Sequence, residues 1–176
     1  DAALEHAERV ATLTLISTTS VAPRRPDQPE LPPMSPELAS RFAEPAPEPD
    51  WSDREAVIDY IVEGLRPFAG SLPLDEEGQR ALVERVVDRT INIASSMKNH
   101  WLLEEREPVT RPLSEMTPPT LVLHGTEDPV FPYEHGEALA REIPGARLLP
   151  LEGAGHELPP RPLWDLVVAA ILEHTC

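Results

Sequence analysis

An aspartate and a histidine each follow a short apolar run in the C-terminal half of the sequence. Asp128 stands in GTEDPVFP, five residues after Leu123, and His156 stands in GAGHELP, five residues after Leu151. A buried aspartate that accepts the Nδ1 proton of a histidine fixes the tautomer of the ring and leaves Nε2 free to take a proton from a hydroxyl. The spacing therefore predicts an acid–base pair that serves nucleophilic catalysis.

Each motif also has a purely structural interpretation. Asp-Pro is a common turn, and Asp128 could cap a helix that starts near Tyr133. His156, in a glycine-rich stretch, could be an ordinary loop residue. The combination of both motifs on consecutive strand ends, 28 residues apart, favours the acid–base interpretation.

The elements that must position this pair follow from the pattern of apolar residues. Short apolar runs at Val10–Ile16, Thr120–Leu123 and Arg147–Leu151 are typical of strands buried on both faces. Helices are predicted over Glu134–Glu142 and Leu163–His174. Strands that alternate with helices indicate an α/β fold with a parallel sheet, and reactive groups collect beyond the carboxyl ends of such strands.

Residues 34–107 interrupt this alternation and are interpreted as a helical insertion. Ser52 or Asp53 can cap one helix, and Asp75 can open a longer helical stretch. The predicted domains, in chain order, are 1–33 (a helix end, a strand and a Pro-rich linker), the insertion 34–107, and the segment 108–176 that carries both motifs.

Three segments of the sequence resemble the α/β-hydrolase family. LVLHGTEDPVFP and ARLLPLEGAGHELP are similar to its C-terminal half, and LEHAERVATLTLIST is similar to the end of its third main helix and its sixth strand. The resemblance implies that Asp128 follows strand seven, that His156 follows strand eight, and that 34–107 is the variable helical cap. It is strongest to bacterial esterase and haloperoxidase-like members, including methyl esterases that act on aromatic polyketides.

The nucleophile of that family sits in G-x-S-x-G, and this motif occurs nowhere in the sequence. The nearest look-alike, AGSLP around Ser71, lacks the glycine spacing and lies in the insertion. Cys176, the terminal residue, is interpreted as a free thiol. We therefore expect the chain to be the C-terminal portion of a hydrolase, inactive alone, whose nucleophile and oxyanion donors precede Asp1.

Several further residues are candidates for weaker roles. Met97, His100 and Trp101 could line a substrate pocket, with Trp51 and Phe68 as further apolar wall, although core packing is the default for such residues. His124 is expected to pack or to form a hydrogen bond. The remaining histidines are expected on the solvated surface: His6, His135 and His174.

Composition excludes several classes of function. The net charge of −16, from 31 acidic and 15 basic residues, argues against nucleic-acid binding. No apolar run reaches the roughly 20 residues that a membrane helix needs. We predict no metal and no cofactor, because neither metal-ligand spacing nor a Gly-rich phosphate loop is present. A single cysteine and the absence of a signal-peptide pattern predict a cytoplasmic location.

The function expected from these features is hydrolysis of a small apolar ester or related carboxylic derivative by a serine that lies outside the chain. Two alternatives stay open: a non-catalytic binding module that keeps the hydrolase shape, and a dehalogenase or epoxide hydrolase with an aspartate nucleophile. The strand at Val10–Ile16 would have an uncovered edge, which predicts as partner either an N-terminal half or a second copy of the chain.

Overall fold

The computed structural model describes residues 2–22, 25, 28–99 and 111–176 and contains one parallel β-sheet in those ranges. Strands β1 (Leu13–Ile16), β2 (Thr120–Gly125) and β3 (Arg147–Leu151) run parallel in the order β1-β2-β3. Leu123 pairs with Ile16 on one side and with Leu149 on the other. The predicted α/β fold with three parallel strands is therefore confirmed.

The helices alternate with these strands, and the two whose bounds are predicted, Glu134–Glu142 and Leu163–His174, are observed within one residue of those bounds. Strand β1 begins at Leu13, not at Val10, because Val10 ends a short turn in which its N–H donates to the carbonyl of Ala7. The helices are α1 (Ala2–Glu5), α2 (Pro36–Ala43), α3 (Arg54–Leu65), α4 (Glu76–Arg89), α5 (Ile93–Lys98), α6 (Glu134–Glu142) and α7 (Trp164–Thr175).

Strand β2 is buried throughout, because both faces of the sheet are covered. Val122 points into one apolar cluster, which includes Leu139 of α6, whereas Leu121 and Leu123 point into a second cluster with Val167 of α7. Successive side chains of a strand point to opposite faces, so a strand between two layers must be apolar at every position. The continuous run TLVL follows from this placement.

Helices α3 and α4 pack on each other around an apolar cluster of their own. Asp53 caps α3 by accepting from the backbone N–H groups of Glu55 and Ala56, and Asp75 caps α4 by accepting from Gly78. The buried members of this cluster are Val57, Ile58, Ile61, Val62 and Val83. The predicted boundaries of the insertion stay predictions, since the second of them falls between 100 and 110, outside the described residues.

The long helical stretch predicted from Asp75 is two helices, and that prediction was wrong in this respect. Thr90 ends α4, and its hydroxyl donates to the carbonyl of Val86 at 2.6 Å. Asn92 then caps α5 by accepting from the amide of Ser95. In the described ranges, no helix is both long and apolar enough to span a membrane.

Candidate acid–base site

The loops after β2 and β3 bring the two predicted site residues together. Nδ1 of His156 lies 2.9 Å from Oδ2 of Asp128. The Asp128 side chain is fully buried, whereas that of His156 is 28% exposed. A buried carboxylate at this distance accepts the Nδ1 proton and so selects the tautomer with a free lone pair on Nε2. Nε2 makes no hydrogen bond with any residue that the structure describes.

The conformation of the acid loop explains how Asp128 stays ionised in a buried position. Its Oδ1 accepts from the backbone N–H groups of Val130 and Phe131, both at 2.8 Å. Burial by itself would raise the pKa of Asp128, but the hydrogen bonds from His156 and from these two amides hold that pKa below its ordinary value. The carboxylate therefore remains charged beside the imidazole at neutral pH.

Asp128 does not cap the helix that follows it. Helix α6 begins at Glu134, and Tyr133, which precedes it, makes no side-chain capping hydrogen bond. Both oxygens of Asp128 are instead committed within the loop and to His156. The structural alternative of a helix cap is therefore wrong.

His124 lies directly beneath the acid loop, with no exposed surface. Its Nε2 donates to the carbonyl of Phe131 at 2.7 Å and lies 3.6 Å from Oδ2 of Asp128. Burial lowers the pKa of His124, and this outweighs the opposing effects of the Phe131 carbonyl and the Asp128 charge. His124 is thus a neutral ring that holds the acid loop by a hydrogen bond, the role predicted for it.

The acid loop and the histidine loop are also joined through their backbones. The N–H of Glu127 donates to the carbonyl of Ala154 at 3.0 Å, and the N–H of Gly153 donates to the hydroxyl of Thr126 at 2.9 Å. A Cβ on Gly125 would overlap the carbonyl of Ala154. Glycine at the end of β2 therefore permits the close approach that places Asp128 beside His156.

Two aromatic rings flank His156. The ring of Phe131 lies 5.5 Å away in an edge arrangement, and the ring of Phe68, from the predicted insertion, lies 6.2 Å away. Trp51, grouped with Phe68 in the sequence analysis, packs instead against Tyr60 within the α3–α4 layer at 5.9 Å. Of these two aromatic residues, the structure brings Phe68 to the histidine.

The predicted substrate-lining residues are Met97, His100 and Trp101, and their role stays a prediction. Met97 lies on α5 and is 37% exposed. His100 and Trp101 fall in the part of the chain that the structure does not describe. Among the described residues, no three His, Cys, Asp or Glu side chains are grouped so that they could hold a metal ion.

The expectation that His135 is a surface residue was wrong. It is 9% exposed, its Nδ1 lies 2.7 Å from the Thr19 hydroxyl, and its Nε2 donates to the carbonyl of Pro32 at 2.9 Å. Both partners, Thr19 and Pro32, come from the part of the chain that follows β1. His174 is also half-buried, with Nε2 3.1 Å from the carbonyl of Leu13.

Ser71, the serine of the motif look-alike, lies near the acid loop but is not paired with the histidine. Its hydroxyl donates to Oε1 of Glu127 at 2.7 Å, and its backbone N–H donates to Oε2 of the same side chain at 2.8 Å. It follows a short helical turn, Arg66–Phe68, and not a strand. Cys176 is an exposed free thiol at the end of α7.

Comparison with known proteins gives partial matches. A family model described as TAP-like protein matches residues 86–162. Rhodomycin D methylesterase from Streptomyces peucetius is 41% identical over 70 residues, which cover 39% of this chain and 23% of that protein. Pimeloyl-(acyl-carrier protein) methyl ester esterase from Xanthomonas campestris is 28% identical over 127 residues, which cover 66% of this chain and 50% of that protein. A solved thermophilic esterase from Thermogutta terrifontis is 27% identical with a TM-score of 0.51, over 97% of this chain and 57% of that one.

The chain has the α/β-hydrolase fold, and it resembles the C-terminal portion of that fold. The relatives above are ester hydrolases by name, so the similarity at family level is to that class. The matched segments span half or less of the two curated relatives, at 50% and 23% of their lengths.

Proposed function

We propose that this chain supplies the acid and the base of a serine-dependent carboxylic ester hydrolase. One observation carries the proposal: the hydrogen bond between the buried Asp128 and the partly exposed His156, with Nε2 free of any described partner. A histidine whose Nδ1 is held by a carboxylate and whose Nε2 is free can accept the proton of a hydroxyl, which activates that hydroxyl as a nucleophile.

In this mechanism Nε2 of His156 takes the proton of a serine hydroxyl as the serine oxygen attacks the ester carbonyl. Asp128 stabilises the imidazolium that forms, because its carboxylate accepts from Nδ1. The proton then passes to the departing alcohol, which leaves the acyl group on the serine. His156 next removes a proton from water as the water oxygen attacks the acyl carbonyl, and it returns this proton to the serine oxygen as the acyl–serine bond breaks and the acid is released.

The serine itself is proposed to lie outside these 176 residues. The sequence contains no G-x-S-x-G, and the Ser71 hydroxyl is engaged by Glu127. The solved esterase is longer than this chain, which covers 57% of it. That difference in length is large enough to contain a nucleophile-bearing segment.

The proposed substrate class is a small to medium apolar carboxylic ester, with methyl esters as the first choice. Two similar proteins are methyl ester esterases by name, one for rhodomycin D and one for a pimeloyl-(acyl-carrier protein). The aromatic rings of Phe68 and Phe131 beside His156 suit an apolar group near the reacting carbonyl.

The proposed partner is the remainder of the hydrolase fold, docked on two apolar surfaces. In the described part of the chain, β1 is an edge strand with Ile16 37% exposed. On α7, three side chains at helical spacing form an exposed apolar stripe: Trp164, Val168 and Leu172, at 52%, 54% and 57% exposure. Self-association through the same surfaces is the alternative occupant.

The function is tested by comparing two proteins, the 176-residue chain and the polypeptide that includes the upstream coding sequence, on nitrophenyl and methyl esters. We expect hydrolysis by the longer protein, with loss of at least about a thousandfold on His156→Ala. The shorter chain should not exceed its own His156→Ala variant. Activity of the longer protein that survives this substitution would refute the mechanism.

A binding module is the second candidate, since the sequence lacks the nucleophile motif. If the chain belongs to a binding module, the longer protein should hydrolyse no ester in the same assay but should still bind ester-like ligands. An aspartate nucleophile, as in dehalogenases and epoxide hydrolases, would instead appear as hydrolysis of haloalkanes or epoxides by the longer protein.

A further inference from the structure

A five-residue segment, 68–72, lies directly against the histidine loop. The backbone N–H of His156 donates to the carbonyl of Phe68 at 2.7 Å, and the N–H of Leu72 donates to the carbonyl of Gly153 at 3.2 Å. We refer to residues 68–72 as the strap. The strap therefore holds the backbone of the histidine whose side chain is held by Asp128.

The contact between the strap and the histidine loop is made backbone to backbone. A Cβ on Gly70 would overlap the carbonyl of Gly153 and lie 2.8 Å from the amide nitrogen of Gly155. A Cβ on Gly155 would overlap the carbonyl of Phe68 and lie 2.6 Å from the amide nitrogen of Gly70. Glycine on both sides lets the two chains approach this closely.

Among the described residues, the side chain of Glu127 ties the strap to the acid loop. Its two carboxylate oxygens accept from the backbone N–H and the hydroxyl of Ser71, at 2.8 and 2.7 Å. Glu127 directly precedes Asp128, and its own N–H donates to the carbonyl of Ala154 in the histidine loop. Glu127 is therefore the residue at which the acid loop, the histidine loop and the strap meet.

We propose that Glu127 is a positioning residue for His156 and that it acts through Ser71 and the strap. The inference rests on the proposed role of His156 as the catalytic base. Loss of the two Ser71 bonds leaves the strap tied to the histidine loop but not to the acid loop through Glu127, so the Phe68 carbonyl and the Phe68 ring beside the imidazole are held less firmly. The imidazole then leaves Asp128 more often, and the effect falls on turnover more than on substrate binding.

The measurement that isolates this effect is proton exchange at Nδ1 of His156, followed by NMR on the 176-residue chain. Glu127→Ala removes both acceptors, and we expect exchange with water to quicken about tenfold, the effect of losing about one net hydrogen bond. Glu127→Gln can still accept from the Ser71 amide and donate to its hydroxyl, so it should restore slow exchange. Glu152→Ala, which changes an exposed carboxylate of the histidine loop, is the matched control.

Two further variants separate positioning from general stability. Gly70→Ala should quicken exchange as Glu127→Ala does, because the added methyl group forces the strap away from Gly153. Gly64→Ala, where a Cβ meets nothing within 4 Å, should leave it unchanged. Should Glu127→Ala fail to fold, Ser71→Ala removes one of the two hydrogen bonds and is expected to shift exchange in the same direction.

The outcomes distinguish this inference from the function on which it rests. Absence of a slowly exchanging Nδ1 proton in the unaltered chain would overturn the pairing of His156 with Asp128, and with it the proposed function. A slow proton that none of the strap variants affects would overturn the positioning role of Glu127 alone. Equal effects of Glu127→Gln and Glu127→Ala on the exchange rate would also overturn the positioning role, since the hydrogen bonds between residue 127 and Ser71 would then not affect His156.

Discussion

Replacement of Asp128 by asparagine tests the chemistry of the site without requiring a nucleophile. The amide oxygen of Asn at this position can still accept from the N–H groups of Val130 and Phe131, as Oδ1 of Asp128 does. The amide nitrogen then takes the place of Oδ2, 2.9 Å from Nδ1 of His156. Two N–H donors cannot face each other at that distance, so the imidazole must change tautomer and carry its proton on Nε2.

The expected cost in stability follows from the bond that is exchanged. A charge-assisted hydrogen bond contributes roughly 1.5–3 kcal/mol and a neutral one roughly 0.5–1.5 kcal/mol, so Asp128→Asn should lower the free energy of unfolding by about 1 kcal/mol at pH 7. The folded-state pKa of Asp128 is lowered, so its stabilising contribution is present above the unfolded pKa and is lost as pH falls through the folded pKa. The variant and the unaltered chain should therefore converge in acid.

The assay combines nitrogen-15 NMR of the His156 ring, at a pH where the imidazole is neutral, with urea unfolding at neutral and acidic pH. We expect the proton on Nδ1 in the unaltered chain and on Nε2 in Asp128→Asn. Asp165→Asn, at an exposed aspartate in the first turn of α7, is the control and should change neither tautomer nor stability by more than about 0.5 kcal/mol. An Nδ1 proton that persists in Asp128→Asn would refute this reasoning.

Two further predictions concern the buried frame of the site. Burial lowers the pKa of His124, so as the pH falls the unfolded chain binds a proton at this ring before the folded chain does, and the free energy of unfolding should decrease below about pH 6.5. His124→Gln should make this decrease smaller. If the difference between the urea midpoints at pH 7 and pH 5 is the same in the variant as in the unaltered chain, the prediction is contradicted. Leu123→Ala removes a side chain with no exposed surface, and it should lower the free energy of unfolding in denaturant by about 2–5 kcal/mol. Leu158→Ala, at a residue that is 75% exposed, is the control and should lower it by less than about 0.5 kcal/mol. Similar values for the two variants would show that Leu123 is not part of the core.

Regular elements of this fold are predictable from the sequence because their signals are local. The periods of apolar residues locate β3 and α6 at their observed bounds, Arg147–Leu151 and Glu134–Glu142. The caps Asp53 and Asp75 precede their helices, as predicted. The break between α4 and α5 also has a local signal, since Asn92 is a good capping residue, but apolar spacing that continues to Met97 concealed it.

Contacts between irregular segments were not predictable in the same way. Nothing in the pattern around His135 shows that its ring meets Thr19 and Pro32, more than 100 residues away in sequence. The pairing of Glu127 with Ser71 likewise joins two loops that have no hydrophobic period. The sequence around a helix or loop residue does not indicate which irregular segment will cover that residue, because the contact forms only when the tertiary structure does. The burial of such side chains therefore could not be predicted from local patterns.

The acid and the base are held in physically different ways, and this difference determines which substitutions should affect each. Asp128 is fixed within four residues, by the amides of Val130 and Phe131, while His124 holds the carbonyl of Phe131 from below. Among the described residues, the hydrogen bonds that hold His156 are long-range, from its ring to Asp128 and from its backbone to Phe68. Displacement of Phe68 should therefore affect the position of His156 more than that of the Asp128 carboxylate, which the amides of its own loop hold.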